Sequence, residues 1–202
     1  MGFFDALLGG GKKLKGVAPD RLFAMTTAHV TLQTGLGIES AGSAGIVFQP
    51  INTADFDQIL RDAHELLSGV SEEQESELES ADDGHGYRWI ILRDPDFEDL
   101  VVSLNTISTE LQGGGYGDRL LAAVFPFEEK DGKDSASMRN PSGKRVYFIY
   151  NFKRGSFYPF VPSAGAQQRD TERELRLKAQ LERELPFEAE TARWFPLWEI
   201  PL

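Results

Sequence analysis

Apolar positions along the chain follow two periods, and each period predicts its own elements. Phe56, Ile59, Leu60, Ala63 and Leu67 recur at i, i+3, i+4, i+7 and i+11, one stripe of an α-helix. Asn52 or Thr53 suits its N-cap, Asp55 and Asp57 suit its first turn, and Gly69 can end it. After Pro95 a second stripe runs through Phe97, Leu100, Val101, Leu104, Ile107 and Leu111 and stops at Gly113, Gly114 and Gly115. A charged helix is predicted over 170–185, with Leu177, Leu181 and Leu185 as a narrow stripe and Glu172–Arg176, Glu174–Lys178 and Lys178–Glu182 as i,i+4 pairs. Short helical pieces are predicted at 1–8 and from Asp20 to Met25. Strands are predicted at 28–34, 44–50, 86–94, 119–127 and 145–152, with Gly35 to Gly42 as the connection between the first two. In 145–152 both faces are apolar near the middle, which places that strand inside a sheet. The order α-β-β-α-β-α-β-β-α predicts an α+β fold. It would be a single-domain sandwich over 1–202, a mixed or antiparallel sheet with helices covering one side.

Charge modifies this outline at one place. The net charge is −11, and residues 71–83 contribute seven acids and no base. With few large apolar residues there, a mobile, solvated loop is expected over 70–85. Residues 128–143 are polar and are expected to form a flexible hairpin loop. An acidic chain lacks the cationic footprint that phosphate backbones require, so nucleic acid is excluded as a general partner. There is no cysteine, which removes disulfides, thiolate metal sites and cysteine nucleophiles and fits a cytoplasmic protein. No apolar run approaches the roughly 20 residues of a membrane span. Near the N-terminus Phe3, Phe4, Leu7 and Leu8 share one helical face, followed by Lys12, Lys13 and Lys15. That pattern suits either a weak membrane-surface contact or docking on the protein's own core.

Catalytic and cofactor motifs do not assemble. "HELLS" at 64–68 has Ser68 where a zinc-protease helix needs its second histidine. His29, His64 and His85 lie far apart in the sequence, and Asp82, Asp83 and His85 read first as turn chemistry. "GGGYG" at 113–117 follows a helix instead of opening one, so it is a helix stop and no phosphate cradle. No metal, cofactor or catalytic set is therefore assigned.

The densest unusual stretch is "KRGSFYPFVPS", 153–163. Gly155 permits a sharp turn, and Pro159 and Pro162 cannot donate to a ladder, so an edge strand is expected. Lys153, Arg154, Phe157, Tyr158 and Phe160 are the candidate partner-binding residues, since Arg and aromatic side chains anchor interfaces. The competing reading packs the three rings into the core.

"MGFFDALLG", "YNFKRGSFYPFVP" and "ARWFPLWEIP" together resemble the PspA-associated protein PspAB family. The resemblance implies a link to PspA, the coiled-coil membrane-stress protein of the phage-shock response, and to a membrane-embedded heat-shock metalloprotease. It carries over no catalytic residue. The expectation is a non-enzymatic cytoplasmic accessory protein of an envelope-stress system, binding a protein partner near the membrane. The alternatives are an enzyme of unrecognised type and a small-ligand sensor domain.

Overall fold

The computed structural model describes residues 21–51, 53–70, 77–84, 86–129 and 145–202. Among them are helices α1 (Ala24–Thr31), α2 (Ala54–Val70), α3 (Phe97–Gly113) and α4 (Thr171–Leu181). The strands are β1 (Ile38–Ser40), β2 (Ser43–Phe48), β3 (Glu77–Asp82), β4 (Arg88–Arg93), β5 (Leu120–Glu129), β6 (Arg145–Asn151) and β7 (Ser156–Phe160). All seven form one antiparallel sheet in the order β3-β4-β2-β5-β6-β7, with β1 also against β5. The α+β sandwich expected from the pattern is the observed class.

Strand alternation divides the interior in two. Ile46, Phe48, Ile90, Phe125, Phe148, Tyr150 and Phe157 face a layer made by all four helices, through residues such as Met25, Phe56, Leu104 and Leu177. Val47, Trp89, Ile91, Val124, Tyr147, Ile149, Tyr158 and Phe160 face the other way. There the cover is no helix but the C-terminal segment, with Trp194 and Leu197 buried and Phe195, Trp198, Ile200 and Leu202 partly so. Leu202 lies close enough over Gly45 that a Cβ at that glycine would meet its methyls at 3.1 Å. Residues 196–202 make no main-chain hydrogen bond to another described main chain, so side-chain burial and the hydrogen bond that Arg145 Nη1 donates to the Leu202 carbonyl hold this strap in place.

Pro126 sits in the interior of β5 without breaking it. Its carbonyl accepts from Ala41 N–H at 3.0 Å, so its missing donor faces the bend between β1 and β2, not β6. Gly42 makes that bend at φ +69°. β5 therefore runs on to Glu129, past the expected end of the strand, and takes Glu128 and Glu129 out of the predicted loop; residues 130–143 lie outside the described residues.

Two further expectations are corrected. Residues 28–34 are helical, not a strand: α1 passes directly into a π-helical turn at Leu32–Leu36. Leu22, Met25, Ala28 and Leu32 are all buried on one side, and this helical stripe outweighs the local alternation, leaving Val30 55% exposed. Residues 77–82 are β3, not loop, while 71–76 lie outside the described residues. The neighbouring strand supplies the opposite charge. β4 carries an arginine at each end, and Arg88 reaches Asp82 at 2.7 Å and Arg93 reaches Glu79 at 3.6 Å. Leu78 and Ala81 pack against the two cores, and the outward acids guard a sheet edge.

If the strap seals the second core, Leu197→Ala should cost about 2–5 kcal/mol of folding stability in urea unfolding. A cost below about 1 kcal/mol would show that the strap is not packed on the sheet.

Candidate functional site

Strand β7 has a different polar structure at each end. At its start, Asn151 closes the turn from β6: its carbonyl accepts from Gly155 N–H at 2.8 Å, and its Oδ1 accepts from Arg154 N–H at 3.2 Å. Gly155 is at φ +62°, where a side chain would be strained. The outer edge of β7 is partly closed by the chain after α4. Phe157 N–H donates to Pro186 O, and Glu188 N–H donates to Phe157 O, both at 2.8 Å.

Phe157, Tyr158 and Phe160 are 0%, 1% and 1% exposed. This corrects the expectation of an aromatic partner surface: the alternation of β7 sends Phe157 into the helical core and Tyr158 and Phe160 into the strap core. Phe157 packs on Tyr150 at 4.8 Å, and Phe160 meets Trp198 edge-on at 5.1 Å. The edge-strand expectation for 156–160 holds, with Pro159 on the last strand of the sheet. Lys153 and Arg154 stay at the surface. Phe3, Phe4, Leu7 and Leu8 lie outside the described residues.

At the other end of β7 sits a fully buried carboxylate. Glu174 is 0% exposed, and its Oε1 accepts from Val161 N–H at 2.9 Å. Arg169 Nε donates to Oε1 at 3.0 Å and to Oε2 at 2.9 Å, and its Nη2 stands 2.7 Å from Oε2. Arg169 Nη1 donates to the carbonyl of Trp194 at 2.6 Å, and its guanidinium lies 5.6 Å over the ring of Phe160. Burial pushes the Glu174 carboxyl above its ordinary value, while the hydrogen bonds from Arg169 and Val161 draw it back. The arrangement is a clamp joining β7, α4 and the strap. Sequence spacing paired Glu174 with Lys178 instead, whose ammonium lies 5.7 Å from the Trp194 ring. One signal was present: position 174 falls on the same stripe as Leu177, Leu181 and Leu185, so its side chain had to point inward.

Beside the clamp, the Tyr158 hydroxyl is buried without a hydrogen-bond partner, and burial pushes its pKa far above the tyrosine range. It stays protonated and is a poor candidate for general-base work. His29 is held below its usual range mainly by burial, against Phe97 at 4.2 Å. Among the described residues, no group of three or more His, Cys, Asp or Glu gathers as metal ligands, and no helix is long and apolar enough to cross a membrane. His85 lies outside the described residues.

The second polar cluster surrounds Glu188, near the β6–β7 turn. Arg154 Nη1 lies 3.4 Å from Glu188 Oε2, and Arg193 Nη1 lies 3.9 Å from Oε1. Arg193 Nη2 also reaches Glu190 at 2.9 Å. Arg21 Nη1 donates to the carbonyl of Gly155 at 3.2 Å. Three arginines distant in sequence thus meet at the turn that carries Lys153. Only Arg154 and Lys153 were legible as candidates, because Arg21 and Arg193 come from the far ends of the described chain.

The described residues form a two-layer α+β sandwich, with a C-terminal strap on its second face and a cluster of arginines near the β6–β7 turn. The chain belongs to the PspA associated protein B family, whose model matches residues 1–202. No curated protein and no solved structure matches it.

Phe157→Ala should cost about 3–5 kcal/mol of stability, as core rings do. Tyr158→Phe should change it by no more than about 1 kcal/mol, since the hydroxyl forfeits no hydrogen bond. Urea unfolding of both tests the placement of β7, and near-neutral Phe157→Ala would contradict it.

Proposed function

We propose that this protein is a non-enzymatic, cytoplasmic accessory protein of a PspA-type envelope-stress system, the phage-shock response, and that it works by binding a protein partner near the membrane. The observation that carries this reading is membership, along the whole chain, of a family named for association with PspA. The geometry supports it in one respect. The most buried charged residue, Glu174, is consumed by the clamp, whereas Lys153 and Arg154 stand at a turn on a rigid base of β6 and β7. A rigid base lowers the ordering cost of binding. The corner's cations, with the rings beneath them as support, are the proposed partner contact. A PspA-like coiled-coil protein is the first partner and a membrane heat-shock metalloprotease the second.

Affinity capture of the tagged chain from its native host, read by mass spectrometry, tests this. PspA should be enriched over an untagged control. Arg154→Ala should reduce that enrichment severalfold while the urea midpoint moves little. Normal recovery of the tagged chain with no PspA enrichment would overturn the assignment.

A further inference from the structure

Arg169 and the arginines at the β6–β7 turn use their donors very differently. A guanidinium offers five N–H donors. Arg169 Nε donates to both oxygens of a buried carboxylate and Nη1 to the Trp194 carbonyl, while Nη2 is in ion-pair contact with that carboxylate but makes no hydrogen bond. Among the described residues Arg21 makes one side-chain hydrogen bond, to the Gly155 carbonyl. Arg154 and Arg193 share Glu188 at 3.4 and 3.9 Å, both longer than a charge-assisted hydrogen bond, and Arg193 Nη2 also pairs with Glu190 at 2.9 Å. Glu188 cannot swing outward to improve these contacts. Its N–H is tied to Phe157 O, its Oε1 accepts from Glu190 N–H at 3.1 Å, and its carbonyl accepts from Trp194 Nε1 at 3.0 Å. The corner therefore holds several guanidinium donors that the fold positions and leaves under-used.

The sign of the local field also differs from that of the molecule. Arg154 and Arg193 stand against Glu188 and Glu190, with Arg21 beside them on the Gly155 carbonyl, in a chain of net charge −11. We propose that Arg21, Arg154 and Arg193 form a carboxylate-recognition site that takes an acidic peptide segment of the partner. This rests on the reading that the protein works through a protein partner, and it names the chemistry of the contact. Side-chain carboxylates match the paired N–H groups of guanidinium, which lysines would not reproduce. A peptide reaching the corner samples charges within about 8 Å at physiological salt, so the distant acids matter little to it. An extended anionic lipid surface would meet the whole acidic molecule, and the net charge disfavours that occupant.

The probe is a fluorescent ten-residue Glu-rich peptide, titrated with the full chain at about 0.15 M salt, the physiological screening regime. A peptide with Gln in place of Glu and phosphatidylglycerol vesicles run alongside. The Glu peptide should bind and the Gln peptide should not, with affinity falling as salt rises. Arg154→Gln with Arg193→Gln should weaken binding about tenfold or more, as loss of charged contacts does. Because that pair leaves Glu188 without a cation, Arg21→Gln serves as the second variant; it keeps Glu188 paired and should weaken binding severalfold. Equal binding of the two peptides, no binding of either, binding unchanged in Arg21→Gln, or binding to vesicles alone would overturn the proposal. Acidic-peptide binding without PspA capture removes the partner and keeps the site. PspA capture undiminished in these variants removes the site and keeps the partner.

Discussion

The buried pair of Glu174 and Arg169 is the contact on which the arrangement of the sheet's last strand depends. A carboxylate with no solvent exposure is tolerable only when its oxygens are met by donors. Here both are: Oε1 by the Val161 amide and Arg169, Oε2 by Arg169. Since Val161 follows β7, Glu174 belongs to α4 and Arg169 holds the Trp194 carbonyl, one ion pair fixes strand, helix and strap together. The strap needs such a fixed start. Beyond Trp194 it contributes apolar side chains to the second core but no ladder that would set its register.

Much of the frame was legible in the chain. The stripe from Phe97 to Leu111 is buried as its period required, and Asp96 caps that helix by accepting from Glu98 N–H. The prolines at 159 and 162 placed β7 at an edge, because a missing N–H is harmless on a last strand. The failures share a cause: each was decided by a partner distant in sequence. Residues 77–82 looked too acidic to order until β4 supplied Arg88 and Arg93. Residues 28–34 alternated locally, yet the buried stripe that made them helical began at Leu22. Glu174 had a plausible neighbour in Lys178 and a better one in Arg169, whose approach depends on the loop before α4. The aromatic stretch after Gly155 was chemically ambiguous, since rings that suit an interface also suit a core, and strand alternation with cover on both faces settled it as core.

The two edges of the sheet carry different charged groups. The β3 edge carries Glu77, Glu79 and Asp82, and the adjoining α2 exposes Asp57, Asp62 and Glu65. At the opposite end, beside β7, Arg154 and Arg193 meet at Glu188 and Arg21 holds the Gly155 carbonyl. Exposed acids on an edge strand resist pairing with further strands. The arginines near the β6–β7 turn are the place proposed to take an anionic segment, and the Glu174–Arg169 clamp lies at the far end of the same strand.

A double-mutant cycle on Glu174→Leu and Arg169→Leu, measured by urea unfolding, tests the clamp most directly. Each single change strands a charge or a donor in the interior, and the double change strands neither charge, so the double variant should be less destabilised than the sum of the singles by about 2 kcal/mol or more. Additivity within about 0.5 kcal/mol would mean that the two side chains do not act together and that the clamp does not hold the strap.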